Sequence, residues 1–384
     1  MAKSRSSVKK KKKSVLKKTI DFFVKSEHHA YLVGGYVRDS TLGRESVDID
    51  IVVEGDGVKV ARQLNAKLKG KLTSHAEFGT ATICINSHRV DLASARTEKY
   101  PSPAHLPHVY PSTIVEDLNR RDFTINAIAM SISKANYGEI FDPFEGMNDI
   151  KKKLIRILHR NSFIDDPTRI FRALRYKNRF GFKVEEDTER LMHEAIKSGM
   201  VSKLSGQRIL NELQLIFEEE TFQHTVEDLA SYGVFPVKRS ELKKLPSSNN
   251  HAFYYFVSRL SKNTVPLTKE AQKIVDDFRN ITDTATLLQK TSKKSKIYSM
   301  LSPLTPAAIE AIASMRSELA DKVATFHSLD KIKPFIKVKD LQKRGIKPAK
   351  QYTKILKKLY LLQLDKKLQS RKQALEYLKT LKKK

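Results

Sequence analysis

Residues 31–54, YLVGGYVRDSTLGRESVDIDIVVE, restrict the fold of this chain more than any other stretch. The run from Ala30 to Val33 predicts a short strand, followed by a glycine pair, one or two helical turns and a β-branched strand that carries two acids. Asp48 and Asp50 stand two apart in VDIDIVV. Strand side chains alternate, so both carboxylates share one face and Ile49 and Ile51 point into a core. Neighbouring acids repel, and a strand gains nothing from them without a cation between. Mg²⁺ suits such oxygen donors, since it takes one or two carboxylates together with substrate phosphates. Upstream, Gly34 and Gly35 carry no Cβ, so a phosphate chain can approach the backbone. The helix start beyond them favours anions, and Arg38, one turn on, can clamp the same phosphates. A triphosphate cradle beside a carboxylate pair is the layout of two-metal phosphoryl transfer. A DxD on a strand also occurs as a loop edge or a structural cation site; the glycine pair and the VRD behind it distinguish this one. No GxxxxGK[ST] occurs, which excludes a P-loop.

The charge narrows the partner. The 384 residues hold 72 basic and 43 acidic side chains, a net +29, which favours a polyanion and above all nucleic acid. A lone cysteine, Cys84, leaves no disulfide framework and fits a reducing compartment. No apolar run reaches the roughly 18 residues of a membrane span, so a cytoplasmic protein is expected, with no membrane partner. Residues 1–18, MAKSRSSVKKKKKSVLKK, read as a solvated, disordered arm or as one that grips RNA phosphates.

GGYVRDxxLG followed by DID resembles the signature of the class II tRNA nucleotidyltransferase/poly(A) polymerase family, a branch of the polymerase-β-like superfamily. RRDFTINA within residues 116–130 resembles that family's second motif. The resemblance implies that Asp122 and Asn126, one helical turn apart, reach the ribose hydroxyls and that Arg121 reaches the phosphates. Asp91, at the end of a strand over residues 89–92, stands where the superfamily often places a third metal-facing carboxylate; an ordinary strand-end acid is the other reading. IFDPFEGMND at 140–149 resembles the turn that closes the catalytic domain, with Glu145 in place of a glycine.

Residues 163–182, FIDDPTRIFRALRYKNRFGF, form the second informative stretch. Pro167 suits the first helical position and Asp166 precedes it, so Asp166 reads equally as a helix cap. Asp165, Arg169 and Arg172 follow at helical spacing and are expected on one face. An accepting Asp and a donating Arg match the amino group and ring nitrogen of cytosine or adenine and mismatch uracil and guanine. The stretch resembles the family's EDxxR motif, with Asp165 in the usual Glu place, which implies that Asp165, Asp166, Arg169 and Arg172 contact the base. LSGQRILNEL at 204–213 resembles the next motif, and Arg208 and Glu212 read as a brace for that helix.

Helices are expected over residues 20–28 and 58–68, and a hairpin over 78–85 and 89–92. Residues 96–111, RTEKYPSPAHLPHVYP, hold four prolines and read as a loop, with His105 and His108 as ordinary loop residues. Beyond residue 149 the chain reads as helical, with breaks near 245–250 and 301–306. Residues 331–384 carry 19 basic and three acidic side chains, +16 in all. Lys343, Arg344, Lys347, Lys350 and Lys354 lie in a segment that resembles the family's RNA-contacting tail; a solvated basic helix pair is the alternative.

The expected fold class is α+β: a polymerase-β-like nucleotidyltransferase head with a mixed sheet, then an all-α neck, body and tail. The boundaries are a basic arm at 1–18, a head at 19–148, a neck at 149–220, a body at 221–330 and a tail at 331–384. The function implied is template-independent addition of C and A to tRNA 3′ ends from CTP and ATP, with Asp48 and Asp50 holding two Mg²⁺. A CC-only or A-only enzyme, a poly(A) polymerase and a non-catalytic tRNA-binding factor stay open. Intact Asp48 and Asp50 argue against the last.

Overall fold

The computed structural model describes residues 14–45, 48–86, 88–344 and 351–381. It divides into two compact units, Met1–Val234 and Phe235–Lys384.

In the first unit, a helix over residues 14–24 (α1) leads into β1 (Ala30–Val33), α2 (Gly35–Thr41) and β2 (Ile49–Val53). After α3 (Gly57–Leu68) come β3 (Lys71–His75), β4 (Thr80–Ile85) and β5 (His88–Ser94). The seven-stranded sheet is completed by β8 (Ala129–Ser131) and β9 (Ile140–Phe141), in the order β3-β4-β5-β2-β1-β8-β9. Its strands pair antiparallel except β2 with β5, whose parallel register sets Asp50 beside Asp91. The apolar half of each alternation is buried: Leu32, Ile49, Ile51, Ile83, Val90 and Leu92 are almost fully covered. α3 packs on β4 and β5 with Val60, Ala61 and Leu64 inward. Each buried Val, Leu or Ile contributes about 1.5–3 kcal/mol, so the sheet is a rigid floor for the acids on its polar half.

Residues 96–111 are not a loop throughout. They form a second hairpin, β6 (Arg96–Lys99) against β7 (His108–Pro111), with Glu98 opposite Val109. These strands have almost no apolar alternation; ion pairs from Glu98 to Arg96 and Arg120 hold them instead. β3 also escapes the sequence reading, because as an edge strand it buries little of itself. The RRDFTINA segment is not one helix either. α4 (Ile114–Asn119) ends before it, and a single 3-10 turn, Thr124–Asn126, follows.

α5 (Gly146–Lys152) begins at Glu145, which takes a left-handed φ of 58° while Asp142 accepts from the backbone of Gly146 and Met147. After β10 (Leu154–Ile155) come α6 (Ser162–Asp165), α7 (Thr168–Phe180), β11 (Lys183–Val184), α8 (Glu186–Lys197), α9 (Gly206–Phe217) and α10 (Phe222–Ser231). α7 buries Ile170, Phe171, Ala173 and Leu174 and is stopped by Gly181 at φ 67°.

In the second unit, all regular structure among the described residues is helical. One core gathers Tyr255, Phe278, Ile297, Leu301, Ile309 and Phe326; another, in the tail, gathers Ile336, Leu341, Leu359, Leu368 and Leu378. No helix among the described residues is long and apolar enough to cross a membrane.

Candidate active site

A cavity of about 490 Å³ in the first unit is lined by Gly34, Gly35, Arg38, Asp50, Arg121, Asp122, Asn126, Asp166, Arg169 and Arg172. Ten of the sequence-predicted residues thus meet around one space. Gly34 takes φ +58°, and a Cβ on it would lie 2.8 Å from Nη1 of Arg121. Only glycine satisfies both demands. A Cβ on Gly35 would make no more than ordinary contacts with Arg38 and Asp50, so its value is an open approach to the backbone. Arg38 is only 4% exposed. Its guanidinium donates to Asp39 (2.9 Å) and to Asn126, and it lies 4.6 Å from the centroid of the Phe180 ring. Those partners fix the direction from which it can meet a phosphate.

Asp48 is exposed just before β2 and outside the cavity lining, so of the two acids expected on the strand only Asp50 rides it, half-buried. Burial pushes the Asp50 carboxyl up to about 6, and the Asp91 and Asp48 charges add to this while Arg121 opposes it. Asp91 is held by Arg89 at 2.7 Å and by the Thr82 hydroxyl. A second cavity of about 470 Å³ shares Asp50, Arg120 and Arg121 with the first and adds Arg89, Asp91 and His75. Among the described residues no three Asp, Glu, His or Cys side chains converge as a closed metal cage. Asp50 and Asp91, side by side on β2 and β5 with Asp48 just before β2, are oxygen donors that suit an ion taking its remaining ligands from substrate and water.

Asp117, fully buried, pairs with Arg120 (2.7 Å) and Arg121 (2.9 Å). Burial alone raises its pKa, but the two guanidinium groups outweigh it and hold the carboxyl below its usual value. Asp122 accepts from Nδ2 of Asn126 at 2.9 Å and from Nε of Arg172 at 2.7 Å. Against its burial, Arg172, Asn126 and Arg169 hold it down at about 2. Asp122 and Asn126 therefore meet as the sequence spacing suggested, through a turn rather than a helix.

α6 stops at Asp165 and α7 starts at Thr168, so Asp165 does not share a face with Arg169 and Arg172. Asp165 is absent from the cavity lining and faces His159 at 3.9 Å. The chain breaks there because Pro167 offers no N–H and restricts the residue before it. Asp166, in extended conformation, accepts from the Thr168 backbone (2.9 Å) and hydroxyl, and from Arg208 on α9 at 2.5 Å. All three bonds fall on Oδ1. Arg169, 4% exposed, donates to Ser162 Oγ (2.6 Å) and to the Arg120 carbonyl (2.8 Å). Arg208 also donates to the Ala104 carbonyl at 2.7 Å, so it ties the β6–β7 connection to Asp166.

Glu98, Tyr100, Arg120, Thr168, Tyr176 and Glu212 also line the cavity. Tyr100 donates to Glu98 at 3.0 Å, and burial with the Glu98 charge raises its pKa. In sequence, Glu98 and Tyr100 read only as part of a loop; a hairpin carries them inward. Burial raises the Glu212 carboxyl despite Arg172 and Arg175, and its Oε2 has no hydrogen-bond partner among the described residues. Of the tail residues, Lys343 and Lys354 are exposed and Arg344 is half-buried; Lys347 and Lys350 lie outside the described residues, as does most of the basic arm.

Comparison with known proteins agrees with this geometry. The family model described as the poly A polymerase head domain matches residues 30–156, and the model of the polymerase A RNA- and SrmB-binding region matches 181–244. An A-adding tRNA nucleotidyltransferase from Halalkalibacterium halodurans is 30% identical, over 94% of this chain and 91% of its own length. Another, from Aquifex aeolicus, is 33% identical over 83% of this chain, but the match spans only 43% of the relative. A solved CCA-adding enzyme superposes with a TM-score of 0.76 at 30% identity, covering 94% of both chains. The Thermotoga maritima CCA-adding enzyme, solved with tRNA, gives 0.66 at 29% identity and 92% of both chains. The chain belongs to the tRNA nucleotidyltransferase/poly(A) polymerase family.

Proposed function

We propose that this chain adds nucleotides from CTP and ATP to the 3′ end of tRNA without a template, completing CCA and releasing pyrophosphate. The observation that carries this is one cavity that gathers a glycine turn, Arg38 and Arg121, a strand-borne carboxylate, and Asp166 with Arg169. In this reading the tRNA 3′ hydroxyl oxygen attacks the α-phosphorus, the bond to pyrophosphate breaks and the hydroxyl proton leaves to solvent. Asp48 and Asp50 would hold Mg²⁺, which when bound would lower the hydroxyl's pKa and offset charge on the leaving group. The Gly34–Gly35 backbone, Arg38 and Arg121 hold the triphosphate. Asp122 and Asn126 position the ribose, and their own mutual bond keeps both oriented before substrate arrives.

Asp166 and Arg169 read the base. Oδ1 of Asp166 is taken by Thr168 and Arg208, which leaves Oδ2 to accept the amino group of cytosine or adenine. The capping and reading roles of Asp166 are thus compatible, one per oxygen. Asp165 has no part in this reading. The reaction belongs where tRNA is matured, in the cytoplasm.

A second reading, addition of the terminal A alone, is favoured by three relatives that are A-adding tRNA nucleotidyltransferases. One experiment separates these readings: the protein is incubated with tRNAs ending before CCA, after C and after CC, with each NTP supplied alone. CCA addition predicts C on the first two and A on the third. A-only activity labels the last alone, and a poly(A) polymerase continues past one A. Incorporation into none of them overturns the proposal.

A further inference from the structure

We propose that the second unit carries a phosphate-docking face for the RNA backbone, built from two lysine-bearing turns far apart in sequence. The inference rests on the tRNA reading above and adds a place to it. The first turn is KTSKKSK, residues 290–296, with four lysines in seven positions and no acid between Asp283 and Glu310. The second follows the helix Tyr352–Leu364 and contains Lys366 and Lys367. Lys290, Lys293, Lys294, Lys296, Lys366 and Lys367 are all exposed.

Asp365 brings the two turns together. It accepts from the Ser295 backbone at 3.0 Å, from the Ser295 hydroxyl at 2.8 Å and from Lys293 at 3.3 Å. These bonds hold its carboxyl below the usual value, burial working the other way. The carboxylate between the turns is therefore spent on fixing them, and it also occupies the start of the helix Lys294–Leu301. The attraction for an anion comes from the lysines, not from that helix end.

The second turn closes its helix through two backbone bonds. The Lys366 N–H meets the Gln363 carbonyl (2.9 Å) and the Lys367 N–H meets that of Leu362 (2.9 Å), the bond pair of a Schellman turn. The residue at its left-handed position is normally glycine, yet here Lys366 adopts φ 59°. Lys69 and Lys153 end α3 and α5 with the same backbone (φ 56° and 57°), so what the turn contributes is its exposed charge rather than its strain. Lysines are point charges on flexible stems, suited to phosphates along a duplex and unable to read sequence.

The test uses full-length protein and a tRNA transcript ending in CC, with affinity measured by anisotropy over a series of KCl concentrations. The triple variant K290A/K294A/K296A spares Lys293 and so keeps the Asp365 bridge. It should weaken binding by about tenfold and lower the salt slope by about 2–3, with the KM for ATP unchanged. K366G should lower the slope by about 1 while the Tm holds or rises, since glycine fits the turn. Opposite signs for stability and binding are not expected of a structural lysine. K262A/K269A/K273A removes equal charge from other exposed positions. If that control lowers the slope as much as the first triple, or the first triple leaves it unmoved, binding is to the diffuse positive field and the proposal is overturned. ATP incorporation by the wild-type protein reports on the parent reading separately: its absence together with a lowered slope in the first triple would retire the tRNA-transferase reading and leave the face standing.

Discussion

The two units handle charge in opposite ways. Around the cavity of the first, Arg38, Asp117, Asp122 and Arg169 are each 8% exposed or less, and each is bonded to at least one named partner. In the second unit the lysines of the two turns are exposed, and of these only Lys293 has a carboxylate partner in the described structure. A buried charge must be paired, and its pairing fixes direction, so geometry is the product. An exposed lysine is screened by salt and attracts without orienting. The first arrangement suits selection among nucleotides; the second suits holding a polyanion of any sequence. Substitutions should therefore be severe and specific in one region, mild and additive in the other.

The largest effect is expected at Asp50. Asp50→Ala should lower incorporation by on the order of 10²–10³ or more while RNA affinity stays near wild type. Single-turnover kinetics beside a binding isotherm makes the check, and near-normal turnover would remove the carboxylate pair from the chemistry. Arg169→Ala comes next. Selectivity for ATP and CTP over UTP and GTP should fall by about ten- to a hundredfold, the worth of one bidentate base contact. Equal selectivity in Arg169→Ala and Asp166→Asn to that of the wild type would mean that the base is read elsewhere.

A third expectation concerns pH. The Asp122 carboxyl is held at about 2 in the folded protein against an ordinary 3.8. A depressed carboxyl stabilises the fold above its unfolded value, and the contribution is lost as pH falls through the folded one. Asp122 should therefore supply about 2 kcal/mol that disappears between about pH 4 and pH 2. Asp122→Asn should be less stable near neutrality and show a shallower acid limb in urea midpoints taken against pH. Parallel limbs in the two proteins would mean that Arg172 does not hold this charge in solution.

The same contrast explains what was legible in sequence. The convergence of Asp50, Gly34 and the RRD segment was readable because each combines a local spacing with a chemical demand; Asp48, expected beside Asp50 on the strand, lies before it. The sheet was readable where apolar residues alternate, as in β5 and the start of β2, or run together, as in β1. β6 and β7 were not, because Glu98 and Arg120 hold them by a long-range ion pair that leaves no period in either strand. Asp165 was placed on the wrong face because the helical spacing was extended across Pro167, where the chain breaks in two. The bridge from Asp365 to Ser295 spans 70 residues and has no local signature at all.

The smallest effect, and the one that sharpens the comparison most, is expected in the tail. Lys354 is exposed near the start of the helix Tyr352–Leu364, in a segment expected to contact RNA. If it meets a phosphate, Lys354→Ala should weaken RNA binding only a few-fold, lower the salt slope by about 1, and leave the choice among nucleotides untouched. A point charge on a flexible stem is replaceable, so Lys354→Arg should restore affinity. Arg169→Lys should not restore selectivity, because its planar fork serves Ser162 and the Arg120 carbonyl at once and an ammonium group cannot reproduce that geometry. Rescue at 354 combined with failure at 169 separates attraction from orientation within one chain. Rescue at both would mean that Arg169 contributes only its charge, and the division between the two units would then be one of burial rather than of function.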